Sequence, residues 1–283
     1  MKNTFRISLL LLFGLALMGG LLLWHLSVRE GYTEIVFLNV GQGDAILISQ
    51  GRYQVLIDGG RSGKELLGRV GRHVPFWDRN IEFVIATHPD ADHIGGLPAL
   101  LRSYRVEHVL TTGAESETDI FHLFREATMT ATGKEATTIF RGALFTFPQG
   151  GELRIEYPLA PLPRNSSEGN TNEGSIVARF TYGETSFLLT GDLSREETVL
   201  PDTLPVTVLK VAHHGSKYSS SEQFLRQINP REAVISVGKN SYGHPDPGVL
   251  ERLRSIGATL RRTDVDGDVR YRCFALKRCL FTR

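Results

Sequence analysis

A chain of 283 residues with 41% hydrophobic content can bury a full core within one domain of about 250 residues, which excludes a disordered polypeptide. Its formal net charge of +1 excludes bulk electrostatic attraction as the basis for a polyanionic partner. With Lys2, Arg6 and Arg29 set aside, 29 basic residues face 31 acidic ones, and only Arg261 to Arg283 is locally basic, either as a phosphate-facing surface or as a solvated edge hairpin.

Lys2 and Arg6 precede an apolar run from Ile7 to Val28 that is interrupted only by Ser8, His25 and Ser27. At about 1.5 Å per residue this run is long enough to cross a bilayer. Residues 1–29 are therefore expected to form one membrane helix, followed by a linker over 30–33 and a catalytic domain over 34–283. The rival is a cleaved secretory signal, but no Ala-x-Ala site follows the run. The basic N-terminal flank predicts a cytoplasmic N-terminus, so the chain is expected in the cell membrane as a single-pass protein with its domain outside.

Short strands are predicted over Ile35–Val40, Ala45–Ser49 and Gln54–Asp58, punctuated by Gly41, Gly43, Gly51, Gly59 and Gly60. Phe83–Thr87 reads as an apolar strand, Gly95–Arg102 as a helix and Val106–Leu110 as a strand. A helix near Asp119–Thr130 precedes strands around Thr137–Phe140, Leu144–Phe147 and Leu153–Tyr157, then a polar loop from Pro158 to Gly174. The alternation resumes with strands at Ser175–Tyr182 and Thr185–Thr190, a helix after Asp192, and a strand at Val206–Ala212. Helix Ser221–Ile228, strand Ala233–Val237, helix Pro247–Ile256 and terminal strands complete an α/β chain. Periodicity alone does not separate a doubly wound sheet from two packed sheets. Cys273 and Cys279 lie six apart, spaced for a hairpin disulfide in an exported domain or for two isolated thiols.

The densest chemical signal is His88-Pro-Asp90-Ala-Asp92-His93, four metal-ligand types within six residues directly after an apolar strand. On extended backbone, residues two apart share a side, so His88 and Asp90 can address one ion while the turn presents Asp92 and His93 to a second. Asp192 follows the apolar strand Phe187–Leu189, and His213 and His214 follow another. Each is weak singly, since an Asp after a strand is often a helix cap. Together they meet where strand C-termini converge, the usual place for an α/β active site.

In order and spacing, Phe37-Leu-Asn-Val-Gly-Gln-Gly-Asp44, Asp58-Gly-Gly60, Thr87-His-Pro-Asp-Ala-Asp-His-Ile-Gly-Gly96, Asn172-Glu-Gly-Ser175, Leu189-Thr-Gly-Asp192, His213-His-Gly-Ser216, Tyr242-Gly-His-Pro245 and Thr263-Asp-Val-Asp-Gly267 resemble the metallo-β-lactamase superfamily. Within it they resemble the hydrolase domain of ComEC-type competence proteins, over essentially all of residues 34–283. The resemblance implies a four-layer αββα sandwich with two divalent ions at one edge. It makes His88, Asp90, Asp92, His93 and Asp192 ligands, with Asp192 bridging, and lets one of His213 and His214 complete the set, His213 being preferred. Asp58 resembles the family's buried carboxylate behind the metal loop.

Asp90 stands where most relatives carry a histidine, and Asn172 lies where a further imidazole is usual. The site is thereby richer in oxygen, which shifts preference from zinc toward manganese. The expected chemistry is hydrolysis by a water activated between two ions, with Asp92 or Asp192 handling the proton and His244 either contacting the phosphate or protonating the leaving group. Asn172, Ser175, Lys210, His214 and Ser216 are candidate phosphate contacts, although for Lys210 a solvated surface charge is the simpler reading, and for the two serines turn hydrogen bonding serves equally. The resemblance implies a phosphodiester substrate such as nucleic acid. The rivals are hydrolysis of another bond, such as a lactam or thioester, and a binding module that has lost catalysis. Complete ComEC proteins also carry a multi-helix channel, and with a single apolar run this chain is not expected to form it.

Overall fold

The computed structural model describes residues 6–7, 10–20, 31–162, 171–200, 204–274 and 278–282. An eight-stranded sheet has the order β15-β14-β1-β2-β3-β4-β5-β6. Its strands are β1 (Tyr32–Phe37), β2 (Ile46–Gln50), β3 (Tyr53–Ile57), β4 (Asn80–Ile85), β5 (Arg105–Thr111), β6 (Thr137–Thr138), β14 (Val269–Phe274) and β15 (Arg278–Thr282). A seven-stranded sheet has the order β13-β12-β11-β10-β9-β8-β7. It comprises β7 (Leu144–Thr146), β8 (Glu152–Tyr157), β9 (Val177–Tyr182), β10 (Thr185–Leu189), β11 (Val208–Lys210), β12 (Glu232–Ile235) and β13 (Thr259–Arg262).

Both sheets are mixed. Strands β3 to β6 run parallel, as do β10 to β13, and the remaining pairs are antiparallel. The strands are apolar on both faces because both faces are covered. Ile35, Phe37, Ile46, Ile48, Val55 and Ile57 point into the space between the sheets, against Phe180, Phe187, Leu189 and Val234. Their neighbours Val36, Leu47 and Leu56 point outward, under α1 (Gly63–His73), α2 (Ala91–Ile94), α3 (Leu97–Ser103) and α4 (Asp119–Thr132). Beyond the second sheet, α6 (Glu222–Ile228) and α7 (Pro247–Ser255) seal Leu188, Leu209 and Ile235. Two short helices, α5 (Glu196–Val199) and α8 (Thr263–Asp266), complete the set. Helix, sheet, sheet and helix form the expected four layers.

The helix expected over Gly95–Arg102 begins at Leu97 as α3, and the short α2 precedes it across Gly95-Gly96. A side chain at Gly96 would place its Cβ 2.1 Å from the Gly59 carbonyl oxygen, so the backbones meet there only through glycine. Helix α1 gives little sequence signal, being mostly polar and holding Gly68 and Gly71. Strand β1 starts at Tyr32, inside the segment read as a linker. Residues 163–170 of the predicted polar loop lie outside the described residues. Cys273 and Cys279 face each other across β14 and β15 and are disulfide-bonded.

At the N-terminus, residues 10–20 are helical with exposed side chains, while 8–9 and 21–30 of the apolar run lie outside the described residues. Among the described residues no helix is long and apolar enough to cross a membrane. The basic character of the C-terminal run is largely cancelled. Arg261 pairs with Glu232 at 3.0 Å, Arg262 with Asp264 at 2.7 Å, Arg272 with Glu34 at 2.8 Å and Arg278 with Glu184 at 3.1 Å.

Candidate metal centre

The chemistry-bearing loops all leave the C-terminal ends of strands. Asp58 follows β3 in the left-handed region (φ 60°), a strained position for a residue with a side chain. It is held there by three hydrogen bonds: its carboxylate accepts from the Thr87 amide (2.8 Å), the Thr87 hydroxyl (2.7 Å) and His93 Nδ1 (2.8 Å). The loop after β4 carries His88, then Asp90 at the N-terminus of α2, with Asp92 and His93 in that helix. Gly43 lets the turn after β1 close on this loop, because a Cβ there would lie 2.1 Å from the Asp92 carbonyl oxygen, and the Asp44 amide donates to that oxygen at 3.2 Å.

The second sheet closes the site. Asp192 follows β10, and its amide donates to Ser175 Oγ at 3.1 Å. His213 and His214 follow β11, both with positive φ, 50° and 54°. That contour turns the two adjacent rings in different directions. His214 is buried, with Nδ1 bonded to the Ser236 carbonyl at 2.9 Å. Its Nε2 lies 3.4 Å from Asp92 and 3.3 Å from Asp192.

Three imidazoles share one design. His88 Nδ1 is held by Thr87 Oγ1 at 3.0 Å and Ser175 Oγ at 3.3 Å, His93 Nδ1 by Asp58, and His214 Nδ1 by Ser236. Each therefore turns Nε2 inward, and those three atoms together with Asp192 Oδ1 are buried with no hydrogen-bond partner among the described residues. Unsatisfied buried polar atoms are costly and rare, so their convergence on one space fits a bound cation. Ligand atoms of His88, His93 and Asp192 lie within 4.8 Å of one another, as do those of Asp92, His93 and His214, of Asp44, Asp192 and His214, and of Asp44, Asp58 and His93.

Charge accounts for the titration behaviour. Burial by itself lowers a histidine, yet the carboxylates of Asp192 and Asp58 hold His93 well above its usual value, and Asp192 does the same for His214. His88 is pushed down to about 4 by burial and by the neighbouring His93. Burial raises a carboxyl, but His214 and His93 hold Asp192 well below the usual carboxylate range.

Other predicted residues fall elsewhere. His213, expected to be the ligand, is 25% exposed at its side chain, and its Nε2 is 3.9 Å from Asp192. The structure brings His214 into the cluster instead, its ring anchored by the Ser236 carbonyl and turned inward by the two successive positive φ angles. Asp90 stands at the margin, 40% exposed, 3.9 Å from His88 Nε2, with Oδ1 accepting from Thr171 Oγ1 at 2.5 Å. Lys210 is not a solvated surface charge. It is fully buried, ion-paired with Asp44, 3.7 Å from Asp192, and donates to the Gly191 carbonyl at 2.8 Å. Ser175 is buried and braces His88 and Asp192, while Ser216 is buried and accepts from the Tyr218 amide at 3.5 Å, as turn serines do. Asn172 Nδ2 lies 3.4 Å from His213 Nε2, and the His213 and His244 rings are 5.4 Å apart. These three line the rim. Asp44 carried no assignment from the sequence, although it closes the Gly41-Gln-Gly-Asp44 turn; nothing local distinguishes it from an ordinary turn aspartate.

A family profile described as the metallo-beta-lactamase superfamily matches residues 38–239. The chain belongs to that superfamily. It is similar to ComE operon protein 3 of Bacillus subtilis, 32% identical over 262 residues, covering 84% of this chain and 33% of that protein. It is also similar to Recombination protein 2 of Haemophilus influenzae, 30% identical over 278 residues, covering 96% of this chain and 32% of the other. Competence protein ComA of Neisseria gonorrhoeae is 29% identical over 251 residues, covering 87% of this chain and 33% of its own length. The chain thus spans about a third of the length of these relatives. Among solved structures, the metallo-beta-lactamase fold protein YhfI from Bacillus subtilis shares the fold with a TM-score of 0.58 at 12% identity, covering 85% of this chain and all of that one. The superfamily's hydrolase fold and the His/Asp clusters agree on a metal-binding hydrolase.

Proposed function

We propose that this chain is a metal-dependent phosphodiesterase acting on nucleic acid. The observation that carries the reading is the set of buried, inward Nε2 atoms of His88, His93 and His214 around Asp192, without hydrogen-bond partners among the described residues. Relatives named for competence and recombination support a nucleic-acid phosphodiester rather than a lactam or thioester.

His88, His93 and Asp192, with Asp90 at the margin, would hold one divalent ion; Asp92, His93 or Asp192, and His214 would hold a second. Bound ions supply Lewis acidity, which generates a nucleophile from water near neutral pH and offsets charge on the phosphate. The oxygen-rich ligand set favours manganese over zinc. Asp58, Thr87, Ser175 and Ser236 fix the imidazole orientations. Lys210 balances the buried carboxylates of Asp44 and Asp192 and keeps the Gly191 turn in place. At the rim, Asn172 and His213 are placed to meet a phosphate oxygen. His244, whose ring lies 5.4 Å from that of His213, donates a proton to the leaving oxygen.

The apolar run over residues 7–28 anchors the chain in the cell membrane, with the catalytic domain on the extracytoplasmic side. The bonded pair Cys273 and Cys279 supports an oxidising compartment. The test is hydrolysis of labelled single-stranded and double-stranded DNA, bis-p-nitrophenyl phosphate and a lactam panel by the purified chain, with Asp92→Ala as control. Manganese-dependent DNA cleavage lost in the variant is expected. Lactam turnover without DNA cleavage would overturn the substrate class.

A further inference from the structure

The edge opposite the metal centre has its own character. Strand register puts Tyr32, Gln50, Tyr53 and Phe274 at one level, and Asn80 pairs with Arg105 at that end of β4 and β5. The loop between α1 and β4 projects from the same edge, tied to it by Asp78, whose carboxylate lies 3.9 Å from Arg52 Nε. At its tip Phe76 is 79% exposed and Trp77 44% exposed, with ring centroids 4.7 Å apart. Phe76 thus forfeits most of the burial that stabilises such a side chain and Trp77 nearly half of it, and an exposed ring pair asks for a partner.

Two further features lie at this level. Arg52, Arg79 and Arg105 are exposed at this edge, Arg79 over the Tyr104 ring, while Asp78 is buried. The chain also enters the fold here, since β1 begins at Tyr32, four residues after the apolar run ends at Val28. An inserted run would hold this edge against the bilayer surface. Aromatic rings and arginines are the residues that settle at a membrane interface, the rings among acyl chains and headgroups, the guanidinium groups on lipid phosphates.

We infer that Phe76 and Trp77, flanked by Arg52, Arg79 and Arg105, dock on a phospholipid bilayer and hold the catalytic domain with its metal edge facing away from the membrane. This rests on the reading of residues 7–28 as a membrane segment. From Asn80 to His88 the chain advances roughly 25 Å along the strand direction, so the site stands that far above the lipid surface. A substrate approaching from bulk solution then meets the open edge rather than the membrane.

The chain's two tryptophans make the test direct. In the full-length protein reconstituted into phosphatidylcholine and phosphatidylglycerol vesicles, Trp24→Phe leaves Trp77 as the sole emitter, and Trp77→Phe leaves Trp24. Brominated lipids should quench both, and Trp77 should be shielded from aqueous acrylamide. Quenching of Trp24 with Trp77 unquenched and open to acrylamide would overturn the docking and leave the anchor standing. Trp77 shielded from acrylamide yet insensitive to bromolipid would overturn lipid docking in favour of a protein partner. Loss of quenching at both positions would overturn the anchor and the docking together.

Discussion

The floor and the rim of the pocket are both built from histidine, and they differ in how those rings are held. On the floor, His88, His93 and His214 are buried, each with Nδ1 fixed by a hydroxyl, carboxylate or carbonyl, and each with Nε2 turned inward. On the rim, His213 and His244 are part-exposed, and the His213 ring stands 3.4 Å from Asn172, 3.9 Å from Asp192 and 5.4 Å from the His244 ring. A fixed ring can hold an ion in a defined place, whereas a looser one can follow a substrate and exchange a proton. Adjacent residues 213 and 214 thus serve the two regions separately.

The largest way to break this comparison is at the floor. His214→Ala should bring hydrolysis to background, because it removes an imidazole whose Nε2 lies within 3.4 Å of Asp92 and 3.3 Å of Asp192. Equal activity in this variant and the wild type, measured by DNA cleavage, would put the floor elsewhere. Next is the charge beneath it. Lys210→Met leaves the Asp44 carboxylate buried without its ammonium, and urea unfolding should show a loss of about 3–5 kcal/mol.

A third test concerns the support under the rim loop. Glu196 is buried, accepts the Ser220 amide with both oxygens at 2.9 and 3.0 Å, and is pushed up to about 7 by burial. In the unfolded chain the same carboxyl ionises near 4.5. Between those values the folded chain keeps a proton that the unfolded chain has released. Stability is therefore fullest below the lower value and falls as pH rises through the upper one, by about 3 kcal/mol across the window. Urea midpoints at pH 5 and pH 8 should show this slope in the wild type and its loss in Glu196→Gln. The smallest effect is expected at the rim, where His244→Ala should lower kcat by about 10²-fold with metal content unchanged.

The floor was half legible. His88, Asp92 and His93 stand within six residues after an apolar strand, so local pattern was enough to bring them forward, whereas Asp58 came forward only through the family resemblance. The choice between His213 and His214 was not available locally, because it depends on two successive positive φ angles and on the Ser236 carbonyl of another strand. Lys210 looked like a solvated charge because its partner, Asp44, is distant in sequence and itself resembles a turn residue. The fold was more readable than the site. Strands with both faces apolar announced covered sheets, while α1 stayed hidden because its buried face is only Leu66 and Val70.

The most direct test of the account is the metal content of the wild type, His213→Ala and His214→Ala by inductively coupled plasma mass spectrometry after dialysis. Two divalent ions in the wild type and in His213→Ala, with a loss in His214→Ala, is the predicted result. Full occupancy in His214→Ala with a loss in His213→Ala would contradict the division between floor and rim.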